Sequence, residues 1–119
     1  MTLSVLMSVY KLEKPEYLDS SLQSVIKNQT LKPDNVIIVE DGPLTTELYD
    51  VISKWSNNPD VPMVIIKNEV NLGLTKSLNR GLEYVNTDLL ARMDSDDIAL
   101  NDRFELQVKL FNVNPDIDI

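Results

Sequence analysis

Leu89-Leu90-Ala91-Arg92-Met93 is a mostly apolar stretch that runs straight into Asp94-Ser95-Asp96-Asp97. The apolar part reads as a buried strand, which puts the acids at its C-terminal end, where open α/β sheets bind ligands. In an extended segment, side chains two apart share a face, so Asp94 and Asp96 are expected to point together while Asp97 turns away. Two carboxylates about 4 Å apart repel by roughly 4 kcal/mol at an effective dielectric near 20. A cation relieves that repulsion, and a site offering only oxygen suits Mg²⁺ or Mn²⁺. Both are commonly held by one or two carboxylates together with the phosphates of a substrate. A solvated acidic loop has the same appearance, so the case depends on what else reaches this edge of the sheet.

The composition narrows the chemistry. Nineteen acidic and eleven basic residues in 119 leave a net charge of −8, which opposes binding to nucleic acid or to an anionic membrane face. A phosphate-bearing ligand must then be held locally, by a metal, by backbone amides or by a few cations. The chain has no cysteine, hence no disulfide, thiolate nucleophile or Cys-zinc site. It has no histidine, which removes the imidazole base and the commonest zinc ligand. No apolar run approaches the length of a membrane span, and strand-like sequence begins at Leu3 with no charged leader before it. The expectation is a cytoplasmic protein and a single domain over residues 1–119.

Four strands and four helices alternate. Leu3 to Tyr10 is nearly continuously apolar and reads as a central strand. Pro15 suits the first turn of a helix that carries Tyr17, Leu18, Leu22, Val25 and Ile26 and stops near Asn28. Val36 to Val39 is β-branched throughout and ends in Glu40-Asp41-Gly42. A helix from about Leu44 to Trp55 follows, then a strand over Val61–Ile66 whose early proline marks its start or a sheet edge. Asn71-Leu72-Gly73 opens a third helix with Leu74, Leu78, Leu82 and Val85 apolar, and a last helix from about Asn101 to Asn112 buries Phe104, Val108 and Phe111. The order βαβαβαβα implies a Rossmann-like parallel sheet with right-handed crossovers and flanking helices. Asn114 to Ile119 reads as the lead into a further strand, so the chain is expected to be the first part of a longer protein.

In such a sheet Ser8, Tyr10, Asp41 and the Asp94 cluster come to one edge. The glycine-rich phosphate loops of other nucleotide folds cannot be written with only Gly42, Gly73 and Gly81. Leu3 to Tyr10, Val36 to Gly42, Asn71 to Gly81 and Ala91 to Arg103, taken in that order, resemble the successive motifs of the family 2 glycosyltransferases. The resemblance covers essentially the whole chain. It implies the nucleotide-binding half of a GT-A fold, in an inverting enzyme that moves a sugar from a nucleotide diphosphate sugar. The donor so implied is a UDP-sugar, and the acceptor a saccharide or lipid-linked molecule in polysaccharide biosynthesis, with peripheral membrane association of the full-length protein.

Position by position, the resemblance matches Asp41 to the acid that accepts a hydrogen bond from uracil, and an ionised acceptor suits an imide N–H. Asp41 also suits a purely local role in shaping the turn with Gly42. The family's Asp-Asp-Gly-Ser stands here as Glu40-Asp41-Gly42-Pro43, which leaves Glu40 without an inherited role. Ser8 and Tyr10 match the loop bordering the base, although Tyr10 would serve equally as a core aromatic. Asp94 and Asp96 match the metal and sugar-nucleotide motif, with Asp96 the direct ligand of Mn²⁺ or Mg²⁺ and Asp94 nearer the ribose or sugar. Lys76, early in its helix, suits either a phosphate or bulk solvent. Asn79 and Gly81 are assigned to helix packing, and Arg103 to a salt bridge with the acids. No catalytic base is identifiable, so the isolated chain is expected to bind UDP without transferring sugar.

Two other classes fit parts of the pattern. A receiver-type signalling domain needs an acidic pair after the first strand and an aspartate after the third, where this chain has Ser8-Val9-Tyr10 and Lys67-Asn68-Glu69. A non-catalytic nucleotide-sugar-binding module would share every donor-side feature, because fold does not fix function.

Overall fold

The computed structural model describes residues 1–113. Its elements are β1 (Leu3–Val9), α1 (Pro15–Ile26), β2 (Asn35–Glu40), α2 (Thr46–Ser56), β3 (Met63–Lys67), α3 (Leu74–Leu82), β4 (Leu89–Arg92) and α4 (Arg103–Val113). All strand pairs are parallel and the sheet order is β3-β2-β1-β4. The chain therefore winds outward from β1 in one direction through β2 and β3, then crosses to the other side of β1 to lay down β4. The order reverses between β1 and β4, which is where sheets of this kind open a crevice. β4 ends at Arg92 opposite Leu6, whereas β1 continues to Val9. That difference leaves the last turn of β1 open on its β4 side.

Because β1 is buried on both faces, its apolar residues serve two cores. Leu3, Val5, Met7 and Val9 pack in one cluster with Leu18 and Leu22 of α1, Leu48 and Trp55 of α2, and Phe104, Val108 and Phe111 of α4. Leu6 joins Ile37, Val39 and Ile66 in the other, covered by Leu78 of α3. Burial of each large side chain contributes about 1.5–3 kcal/mol, so the wide cluster under three helices carries most of the stability.

The helix starts follow local chemistry. Pro15 occupies the first turn of α1, and the Thr45 hydroxyl caps α2 by accepting from the Leu48 amide at 3.3 Å. Thr45 as cap moves the start of α2 past the expected Leu44. α3 starts at Leu74 rather than at Asn71, because Gly73 has φ +92° and breaks the helical path. β3 starts after Pro62, two residues later than expected, and Tyr10 lies just past the end of β1. Residues 114–119, read as the lead into another strand, lie outside the described residues.

α3 departs most from its sequence reading. Leu74 and Leu82 are exposed, and the residues it buries are Ser77 and Gly81. A Cβ on Gly81 would overlap Leu6 Cδ1 and come within 3.1 Å of Val39 Cγ2, so the helix lies directly on the sheet at its smallest residue. Gly81 thus has the packing role expected of it, while Asn79 is exposed. Gly81→Ala is expected to destabilise the domain by about 1–3 kcal/mol through overpacking, despite alanine's better helix propensity. Urea denaturation checks this, and an unchanged or higher midpoint would show that the helix can lift away freely.

Candidate functional site

A cleft of about 570 Å³ opens at the carboxyl ends of β1, β2 and β4, lined by Ser8, Tyr10, Glu13, Asp41, Asn71 and Ser95 among others. Its size is in the range of small-ligand sites. Alternation along β1 buries Val9 in the core and leaves Ser8 half-buried and Tyr10 exposed, both on the cleft wall. Tyr10 is therefore no core aromatic.

Asp41 follows β2 directly, and its amide donates to the Val9 carbonyl at 2.8 Å, tying it to the end of β1. The side chain is buried and accepts four hydrogen bonds. Oδ1 accepts from the Leu72 amide at 2.7 Å and from Asn68 Nδ2 at 3.1 Å. Oδ2 accepts from the Gly73 amide at 3.1 Å and from Asn71 Nδ2 at 3.3 Å. Burial alone would push this carboxyl upward. The amides of Leu72 and Gly73, with the Asn68 and Ser77 side chains, outweigh it and hold the carboxyl below the ordinary range. Asn68 is itself fixed, since its carbonyl accepts from Arg80 Nη1 while its Nδ2 also donates to Ser77 Oγ at 2.9 Å. Gly42, at φ +87°, lets residues 70 and 71 close over this network, because a Cβ there would sit 2.9 Å from the Asn71 nitrogen. The Asn71–Gly73 segment is thus wrapped around a carboxylate, which explains why it is not helical.

The neighbouring Glu40 points the other way. It is buried, and burial pushes its carboxyl up, with Lys67 beside it on β3 partly offsetting the effect.

After β4 the chain does not stay extended. Asp94 to Asp97 form a tight turn closed by the Asp97 amide donating to the Asp94 carbonyl at 3.1 Å. This corrects the expectation that Asp97 turns away. Asp94, Asp96 and Asp97 are all exposed, and each offers a carboxylate oxygen within 4.8 Å of the others. Ser95, between them, is buried, and its hydroxyl donates to Glu13 Oε2 across the cleft. Arg92 Nη2 lies 3.6 Å from Asp94 Oδ1. Three exposed oxygen donors with no nitrogen or sulfur fit a hard divalent cation, with room for a ligand's oxygens in the remaining positions.

Not every expected residue joins this group. Lys76 is exposed on the first turn of α3 and does not line the cleft. Arg103 makes no salt bridge with the acids; its Nη2 reaches the Arg92 carbonyl at 3.5 Å and its guanidinium lies over the Phe104 ring. Glu13, Asn68 and Asn71 were not singled out in the sequence. Glu13 sits in a Lys-rich stretch that resembles any solvated loop, and the two asparagines look like ordinary turn residues. Glu13, Asp41 and Ser95 line the cleft, whereas Asp94, Asp96 and Asp97 stand exposed beside Ser95 outside that lining, so this end of the sheet is strongly acidic.

The model of Glycosyl transferase family 2 matches residues 4–119. The chain is 45% identical over 114 residues to the amylovoran biosynthesis glycosyltransferase AmsE of Erwinia amylovora, covering 96% of this chain and 42% of that protein. It is 41% identical over 116 residues to the UDP-Gal:alpha-D-GlcNAc-diphosphoundecaprenol beta-1,3-galactosyltransferase of Escherichia coli, covering 98% and 41%. The chain thus spans about two fifths of the length of these relatives. Among solved structures, S. aureus TarS 1-349 in complex with UDP-GlcNAc superposes with a TM-score of 0.83 at 22% identity, over 97% of this chain and 32% of that one. The mannosyltransferase PcManGT of Pyrobaculum calidifontis, solved with GDP-Man and Mn²⁺, gives 0.78 at 18% identity, over 92% and 32%. These likenesses establish the expected fold, the parallel-sheet half of a GT-A glycosyltransferase. Among the described residues no helix is long and apolar enough to cross a membrane. Sequence match, fold and site position agree, and the chain belongs to glycosyl transferase family 2.

Proposed function

We propose that this domain binds a nucleotide diphosphate sugar, a UDP-sugar, through Mn²⁺ or Mg²⁺ at the acidic turn, and that the whole protein transfers the sugar with inversion in polysaccharide biosynthesis. The observation that carries this reading is the position of the turn: three exposed carboxylates follow β4, on the side of β1 where the sheet order reverses, and Ser95 between them lines the cleft. Asp96 and Asp94 hold the cation, and Asp97 adds a third oxygen. Ser8, Tyr10 and Asp41 form the base end of the cleft. The bond from the exposed Asn71 side chain is the longest that Asp41 accepts, so a uracil imide N–H can take its place without disturbing the backbone amides. When bound, the cation neutralises the diphosphate and stabilises it as a leaving group. Lys76 is reserved for a phosphate reaching past the helix start.

The relatives' names support the choice of donor and acceptor. The E. coli galactosyltransferase is named for UDP-Gal and a diphosphoundecaprenol acceptor, and solved neighbours hold UDP-GlcNAc, or GDP-Man with Mn²⁺. We place the protein on the cytoplasmic side, acting on a saccharide or lipid-linked acceptor, and assign no catalytic base within residues 1–119. Calorimetry of the domain with UDP tests the reading. Affinity is expected to be at least about a hundredfold higher with Mn²⁺ than with EDTA, and no sugar is expected to be transferred by residues 1–119 alone. Equal affinity with and without metal would overturn it.

A further inference from the structure

We infer that Glu13 is a positioning residue that holds the acidic turn in a metal-ready shape, an inference that rests on the donor-binding reading above. The turn brings three like charges within 4.8 Å of one another and exposes all of them, so in the absence of a cation their repulsion drives it open. Something must hold it closed beforehand. The closing bond from the Asp97 amide is internal to the turn, and the Ser21 hydroxyl reaches the Asp94 carbonyl only at 3.4 Å. Arg92 Nη2, 3.6 Å from Asp94 Oδ1, is an exposed pair that holds one acid only weakly, which leaves the buried Ser95 hydroxyl, donating to Glu13 Oε2, as the fastening that reaches inward from the turn.

Glu13 is built to be a fixed acceptor. Its amide donates to the Tyr10 carbonyl at 3.0 Å, closing the turn after β1. Its Oε1 accepts from the Lys14 amide at 3.0 Å, so both carboxylate oxygens are engaged and the group cannot swing. Glu13 thereby links the loop that borders the base to the turn that holds the metal. Ser95 alternates with Asp94 and Asp96, and anchoring it inward directs its two neighbours outward.

The test compares Glu13→Ala, Glu13→Gln, Ser95→Ala and the double variant Glu13→Ala/Ser95→Ala. Mn²⁺ binding is followed by its electron paramagnetic resonance signal, and UDP binding by calorimetry with and without Mn²⁺. Loss of a group that orients a metal ligand commonly costs 10- to 100-fold in metal affinity. Glu13→Ala and Ser95→Ala are each expected to weaken Mn²⁺-dependent UDP binding about tenfold, at the lower end of that range. The double variant should be no worse than either, because both remove one contact. Glutamine retains an acceptor for Ser95 and should rescue most of the loss. A Glu13→Ala variant with unchanged affinity, or a Glu13→Gln variant as weak as alanine, overturns the inference; the second result would mean that charge and not the clamp matters. Amide exchange at Asp97 in the ligand-free proteins keeps this separate from the donor-binding reading. Faster exchange in Glu13→Ala supports the clamp even if the parent binds no metal, and unchanged exchange sinks it.

Discussion

Asp96→Ala is expected to abolish most of the metal dependence of UDP binding, lowering affinity in Mn²⁺ by about a hundredfold, or ~2.7 kcal/mol, while leaving the EDTA value unchanged. The argument starts from the turn. Among the described residues, Asp94 is the one member of the trio with a cation within 4 Å, Arg92 at 3.6 Å, so part of its charge is already answered. Asp96 has no such neighbour and offers its full charge to an incoming ion. Removing it takes away one anionic oxygen from a hard cation that gains little from softer substitutes. Asp94→Ala should cost less, because Arg92 already answers part of the charge that is lost. The folded state does not suffer: three exposed carboxylates repel, so deleting one leaves stability within about 0.5 kcal/mol or slightly raises it. Thermal unfolding of the variant without metal therefore separates lost binding from lost structure. If Asp96→Ala keeps a tenfold preference for Mn²⁺ over EDTA, the cation lies elsewhere.

The legible and illegible parts of this site divide by the range of the forces that set them. Leu3–Val9 and β2 were readable because a strand buried on both faces must be apolar throughout, which is a local property. Alternation of strands and helices implied parallel pairing, but the order β3-β2-β1-β4, and with it the crevice beside β1, is decided by packing among all elements. The acidic cluster was visible, and its shape was not. Asp94-Ser95-Asp96-Asp97 contains only turn-forming residues, so extrapolating the strand through them missed the turn that brings Asp97 back. α3 misled for a related reason. Periodicity follows large apolar side chains, whereas this helix approaches the sheet through Ser77 and Gly81 and leaves Leu74 and Leu82 outside. Glu13 meets Ser95 across 82 positions of sequence, and nothing local to either residue announces the pairing.

Asp41→Asn is expected to destabilise the domain by about 3 kcal/mol at pH 7, since a buried ionised acceptor is lost and a backbone amide is left without a partner. The oxygen–amide exchange cannot be accommodated. All four groups facing Asp41 are donors, so an asparagine NH₂ must point at either the Leu72 and Asn68 pair or the Gly73 and Asn71 pair. The sign of the pH dependence follows from the lowered pKa. A carboxyl depressed in the folded state stabilises fully above the unfolded carboxyl value of about 3.9 and loses that contribution as pH falls through its folded value. The gap between parent and variant should therefore be widest near neutral pH and shrink in acid. Glu40, next in the chain, runs oppositely: burial raises its pKa, so its share of stability is present below the unfolded value and lost as pH rises through the folded one. The parent's own acid curve mixes these two slopes. The difference between parent and Asp41→Asn cancels Glu40, whose side chain lies on the other face of β2. Urea titrations at a series of pH values give that difference directly. A gap that stays constant or widens toward acid would mean that the Asn71–Gly73 segment is held by packing and not by the charge of Asp41. The cleft's base end would then be a preformed wall that needs no ionised carboxylate behind it.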